Sequence, residues 1–211
     1  MCAGFVAYRR WHQRWGATPL EVAAAMPGDG LLPAAAFTAT RAITIRARPA
    51  EVWPWLPQVG FHRAGFCSYH RLDNLGRPSS WEILPEFQHP RVGDLAAPMA
   101  DPPDDRTAFR VALVEAPHAL VWSKPDSTWS WQLTPLGGGD ETRLVTRLKA
   151  QYRASPFLPV TLVLMEIGDF PMMRRMLLGI RERAERGAPS DPAGRSRRTR
   201  RSAPVEDPSG E

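Results

Sequence analysis

Apolar and polar residues alternate with period two through several stretches of this chain, and two helical patterns flank them. From Thr40 to Ala47, Ile43 and Ile45 fall on one face with Thr44 and Arg46 on the other, as in a half-buried strand. Pro49 then opens a helix in which Val52, Leu56 and Val59 recur at helical spacing and Gly60 supplies the stop. Pro54 lies inside it and removes a hydrogen bond, so the spacing predicts a kink or two short pieces. Gly65 to Asn74 reads as a short strand and a helical turn. Residues 79–106 read as a long loop with a short strand near Gly93 to Ala97, and a loop of that length suggests a lid or mobile rim.

Alternation then sharpens. Phe109, Val111 and Leu113 oppose Arg110; Leu120 and Trp122 oppose Ser123; Trp129, Trp131 and Leu133 oppose Ser130 and Gln132. The glycine run 137–139 joins the Trp131 strand to one from Thr142 to Tyr152. In that last strand Leu144 and Leu148 share the apolar face, and Arg143, Arg147 and Lys149 take the other. Ser155 and Pro156 mark the start of a long helix over Phe157 to Arg186, kinked near Gly168 and Pro171. Its inward stripes are Leu158, Leu162 and Met165 before the kink, then Met172, Met176 and Ile180. The predicted class is α+β: a curved antiparallel sheet wrapped around a long C-terminal helix, a shape that makes a container.

The flanks differ in composition. Residues 1–37 form an arm with Trp11 and Trp15 and a short helix from Pro19 to Met26, N-capped by Thr18 with Glu21 following. Residues 38–186 form the sheet-and-helix domain. Residues 187–211 are rich in Pro, Ser, Gly and Arg and read as a disordered basic tail.

Of 211 residues, 43% are hydrophobic and 23% charged, which suits one globular core. The net charge of +5 comes partly from arginines at 195–201 and at 9, 10 and 14, outside that core. The outer-face cations Arg110, Arg143, Arg147 and Lys149 lack interleaved aromatic platforms, so they read as a solvated face and no nucleic-acid partner is expected. Two cysteines without CxxC spacing support neither a disulfide framework nor a zinc site, and a reducing cytoplasm fits. The opening MCAGFVAY is too short to span a bilayer. Membrane contact through residues 1–15 is the less favoured alternative to an ordinary arm.

Candidate chemistry is sparse. Tyr69, His70 and Asp73 form the densest polar group, and a His near a carboxylate can act as general acid or base near neutral pH. The plainer alternative has Asp73 capping a turn, Tyr69 packed and His70 in solvent. Cys67 lacks a positioned base and reads as an inert thiol. The histidines lack metal-site spacing, so neither metal nor cofactor is expected. Phe66, Tyr69, Phe109, Trp122, Trp129, Trp131 and Met173 are candidates to line a pocket for a flat or greasy ligand, with Glu166 and Asp169 as polar contacts. The aromatics could equally fill a dry core.

The succession AITIRARPAEVWPWLPQVG, GFCSYHRLDNL, PEFQHPRVGD and MMRRMLLGIRERAE resembles the START-like (SRPBCC, helix-grip) superfamily in its polyketide cyclase/dehydrase-like branch. Members carry a run like Gly-Phe-Tyr-Ser-Tyr-Asp-Trp-Leu-Glu-Asn after the first helix, matched here by Gly65, Phe66, Ser68, Tyr69, Leu72 and Asn74. RWGAT and PGD in the arm are also similar. Cys67, His70, Arg71 and Asp73 depart from the pattern, which puts in doubt any role tied to those side chains. The resemblance implies a sheet gripping the C-terminal helix over an apolar cavity, and binding of a lipid- or polyketide-like molecule. The alternatives are a cyclase or dehydratase using acids and bases in the cavity, and a membrane-surface protein.

Overall fold

The computed structural model describes residues 2–69, 71, 75–100, 102–104, 107–152 and 158–187. Six strands form one antiparallel sheet: β1 (Phe37–Ile45), β2 (Leu95–Ala96), β3 (Phe109–Glu115), β4 (Ala119–Lys124), β5 (Ser127–Leu136) and β6 (Glu141–Ala150). Their spatial order is β1-β6-β5-β4-β3-β2, so β1 returns beside the last strand and the hairpins follow outward. The helices are α1 (Cys2–Gln13), α2 (Pro19–Ala23), α3 (Pro49–Val52), α4 (Leu158–Val163) and α5 (Asp169–Gly187). A π-helical turn, Leu164–Gly168, joins α4 to α5 into a C-terminal helix of 30 residues. This is an α+β, helix-grip-like fold with an open curved sheet.

Local chemistry explains the elements. Thr18 and Glu21 close a reciprocal capping box on α2, with Pro19 at its start. Pro54 ends α3 as its missing N–H requires, and Trp53–Trp55 continues as a 3-10 turn. Gly137–Gly139, all at positive φ, make the tight turn between β5 and β6. The core lies between the inner sheet face and α5, where Ile43, Ile45, Leu120, Trp122, Trp131, Leu133 and Leu144 meet Met173, Met176, Leu177 and Ile180. Trp122, Trp129 and Trp131 cluster edge-to-face and tilted, with centroids 5.0–5.7 Å apart, each pair contributing about 0.5–1.5 kcal/mol beyond simple burial.

Four sequence expectations change. A β-bulge between Val111 and Leu113 shifts the β3 register, so Val114 rather than Leu113 packs on the core. Over β6 the outer sheet face is not solvated, because the arm lies across it, whereas Arg110 on β3 is exposed as expected. Arg147 is 5% exposed, donating to Asp29 and to the carbonyls of Glu21, Val22 and Ala24. Arg143 grips Glu21, and Lys149 reaches the Asp29 carbonyl. Val121 and Ser130 are therefore as buried as their inward neighbours. The loop expected to be a lid is tied down. Arg183 donates to the carbonyls of Ser79 and Ser80, Arg63 to those of Pro57 and Leu95, and Gln58 bonds Glu82 and Leu84. Before the kink the C-terminal helix does not dock: Leu162 is exposed, and no residue of α4 is buried. Ser155, Pro156 and Phe157 lie outside the described residues.

Candidate functional site

A cavity of about 350 Å³ opens between α5 and the inner face of the sheet. The sheet contributes Phe109, Lys124, Ser127, Trp129 and Leu148, while the C-terminal helix contributes Met165, Asp169, Met172, Met173 and Met176. Phe66, Ser68 and Met99 complete the wall from the loops. The gap follows from shape. The undocked α4 leaves β6 uncovered near Leu148, which is half-buried where strand parity would bury it. The methionines are unbranched and polarisable, and such side chains adapt to guests of varied outline.

Polar groups at the cavity are few, and most are already engaged. Trp129 turns its indole N–H to Thr146 Oγ1 at 3.0 Å, away from the hollow, so a ring face is left for a guest. Ser68 donates to the Met172 carbonyl, and Ser127 to Asp126. Lys124 Nζ sits 5.3 Å over the Phe109 ring and 3.6 Å from Asp126. Asp169 is the carboxyl of the wall. Its Oδ2 lies 2.6 Å from Arg41 Nη1, yet the approach leaves Oδ2 without a well-directed hydrogen bond. Burial pushes its pKa above the usual carboxylate range, against the pull of Arg41.

Behind Asp169 runs a buried ionic chain that fastens the arm to the C-terminal helix. Arg41 donates through Nε to the His12 carbonyl at 2.8 Å. Glu166 accepts two bonds from Arg9 and a third from the Tyr152 hydroxyl at 3.0 Å. His12 Nε2 lies 3.9 Å from Glu166, but burial first and Arg41 second lower the His12 pKa, so the ring is neutral near pH 7. Burial and the bond to Glu166 raise the Tyr152 pKa. The π-helical turn sets both carboxylates, because its extra residue re-aims Glu166 and Asp169 toward the arm and β1.

Of the residues singled out from sequence, Phe66, Phe109, Trp129, Asp169 and Met173 come together around this cavity. Trp131 is fully buried in the core beside it. Trp122, also inaccessible to solvent, backs a separate hollow of about 300 Å³ walled by Arg63, Glu86, His89 and Asp94. Glu166 is held in the ionic chain, and Tyr69 is 46% exposed. His70 and Asp73 lie outside the described residues, so the proposed Tyr69, His70 and Asp73 group has no described geometry. Met165, Met172, Met176 and Leu148 were legible as inward positions. Lys124, Ser127 and Met99 carried no comparable signal. Among the described residues no group of three or more His, Cys, Asp or Glu could hold a metal ion.

No family model and no curated protein matches the chain. Among solved structures, the protein MLL2253 of Mesorhizobium loti is 17% identical, covering 72% of this chain and 100% of its own, with a TM-score of 0.43. KanY is 12% identical over 71% of this chain and 97% of its own, TM-score 0.43. DynU16, from the dynemicin biosynthetic locus, is 18% identical over 66% of this chain and 45% of its own, TM-score 0.36. The class is defined by the chain's own sheet order and C-terminal helix: an α+β protein of helix-grip-like architecture.

Proposed function

We propose that this protein is a START-like helix-grip protein that binds one small hydrophobic molecule, lipid-like or polyketide-like, between its sheet and α5. The observation that carries the reading is the cavity of about 350 Å³ walled by Phe66, Phe109, Trp129 and five methionines. Its volume falls within the span of ligand pockets, about 300–1,000 Å³. Its apolar lining favours greasy guests by removing their surface from water. Titration with dansyl-labelled undecanoic acid tests the reading. Saturable fluorescence enhancement, reversed by unlabelled oleic acid, is expected; a folded protein giving no saturable signal with this probe or with a flat aromatic one such as anilinonaphthalene sulfonate overturns it.

Asp169 favours a second reading, a cyclase or dehydratase. A carboxyl on the wall of an apolar hollow, its pKa pushed up by burial, can exchange a proton with a carbonyl or hydroxyl oxygen of the guest. Incubation with β-hydroxyacyl and poly-β-keto thioesters, followed by mass spectrometry, tests it. Loss of water or a cyclised product that disappears in Asp169→Asn supports this reading, and unchanged thioesters across the panel overturn it.

A further inference from the structure

Exposed apolar side chains are concentrated on two neighbouring segments. Of seventeen exposed large hydrophobic residues among the described residues, eight lie on α1 or on α4 and the π-helical turn: Phe5, Val6, Trp11, Val160, Leu162, Val163, Leu164 and Ile167. The two segments meet where Arg9 pairs with Glu166 and where Trp11 and Trp15 contact Phe170 just past the turn. Phe5 and Val6 lie one turn before Arg9 on α1, and Leu162 and Val163 one turn before Glu166. Val163 and Ile167 share one helix face. Five exposed apolar residues within Val160–Ile167 form a cluster of the kind that marks an interaction surface.

Charge selects the partner. The one acid on these two segments, Glu166, is buried and neutralised by Arg9, so the exposed charge beside the patch is positive: Arg10, Arg14 and, on the next turns of α5, Arg174. Exposed Trp11 lies beside Arg10, more than one turn past Phe5 and Val6. Exposed apolar residues flanked by tryptophan and arginines match the chemistry of a bilayer interface, where acyl chains meet the apolar side chains and anionic headgroups the arginines.

We propose that α1 and α4 together form a docking surface for anionic lipid membranes, dipping their apolar tips below the headgroups. No helix among the described residues is long and apolar enough to cross a membrane, so the contact is interfacial. Met165 belongs to the same turn and lines the cavity, so docking would bring the cavity wall to the lipid; that consequence alone rests on the ligand-binding reading.

Flotation of the full chain with phosphatidylcholine vesicles, with and without phosphatidylglycerol, tests the docking itself. Binding is expected to need the anionic lipid and to fall about fivefold for Arg10→Ser. It should fall at least roughly tenfold for the triple change Val163→Ser, Leu164→Ser and Ile167→Ser. These residues are exposed, so far-UV circular dichroism should be unchanged, and brominated lipids should quench tryptophan fluorescence less in Trp11→Phe. A folded protein that fails to float with anionic vesicles overturns the proposal. So does binding that survives the triple change but is lost when the arginines at 195, 197, 198, 200 and 201 become serine. A dimer dissolved by the same triple change, without vesicle binding, would assign the face to a second copy of the chain instead. Probe binding by the cavity is read separately, so either reading can fail alone.

Discussion

Glu21 shows how one side chain can hold an arm on a sheet. Its carboxylate takes two bonds from Arg143 at 2.7 and 2.8 Å and one from the Thr18 backbone, and its pKa is held down at about 2, chiefly by the Arg143 bonds. A carboxylate with a depressed folded pKa adds stability above its ordinary value near 4.5, and that stability drains away as pH falls from there through about 2. Glu21→Gln keeps the capping box but loses the charge. It should cost about 1–2 kcal/mol at pH 7 by denaturant unfolding, and the gap to the parent should close progressively below pH 4.5. A gap independent of pH would mean that Arg143 contributes nothing through charge. Asp169 behaves in the opposite sense: its pKa is raised, so its carboxylate weakens the fold as pH climbs through the folded value. Asp169→Asn removes that penalty but strands buried Arg41, and losing one member of a buried pair typically costs about 3–5 kcal/mol. Net destabilisation at pH 7 is expected, and a variant melting above the parent would show that burial outweighs the pair. The Arg41 partnership was partly legible, because parity puts residue 41 on the same inward face as Ile43 and Ile45. A charge there demands a buried partner, but parity could not say that the partner sits at the start of α5, just past a π-helical turn and more than a hundred residues later.

Elements were legible wherever their cause was local. The α2 capping box, the break at Pro54, the glycine turn and the strands β4 to β6 all follow from neighbours within a few residues. What escaped depended on distant contacts. The arm covers the outer face because Arg143 and Arg147 find carbonyls and carboxylates supplied by residues 16–29, and no local pattern shows that pairing. The bulge in β3 has no sequence mark either. Gly179 is an intermediate case. It looks like a weak point in α5, yet it admits the backbone of Cys67, which sits at φ 54°; a Cβ on residue 179 would collide with the Cys67 carbonyl oxygen. Elsewhere in a helix, Gly→Ala is favourable by roughly 0.5–1 kcal/mol. Here Gly179→Ala should instead lower stability by about 1–3 kcal/mol through overpacking, and it should weaken probe binding because Phe66 and Ser68 flank the displaced residue. Thermal melting together with the dansyl titration checks this, and a stabilised variant would show that the 66–68 loop yields freely.

At the scale of the molecule, a closed core and an open cavity compete for the same interface. Past the kink α5 seals the sheet with Met173, Met176, Leu177 and Ile180, whereas α4 stays undocked and the strands beneath it meet space. A cavity costs stability in proportion to the contacts its lining forgoes, so a chain selected for stability alone would have filled it with a larger residue. Met172 offers the position for the experiment, since it lies on α5, lines the hollow and is only half-buried. Met172→Trp places a rigid ring in the space while leaving Trp122, Trp129 and Trp131 themselves unchanged. If the hollow exists to hold a guest, the variant should melt at or slightly above the parent temperature, as cavity-filling changes commonly add about 0.5–2 kcal/mol, while losing dansyl-undecanoate binding by at least about tenfold. Equal loss of stability and binding would mean that the site has no slack. Undiminished binding would move the guest elsewhere, with the outer hollow between the arm and β6, near Arg14, Arg147 and Lys149, next in line for mapping by the same displacement assay.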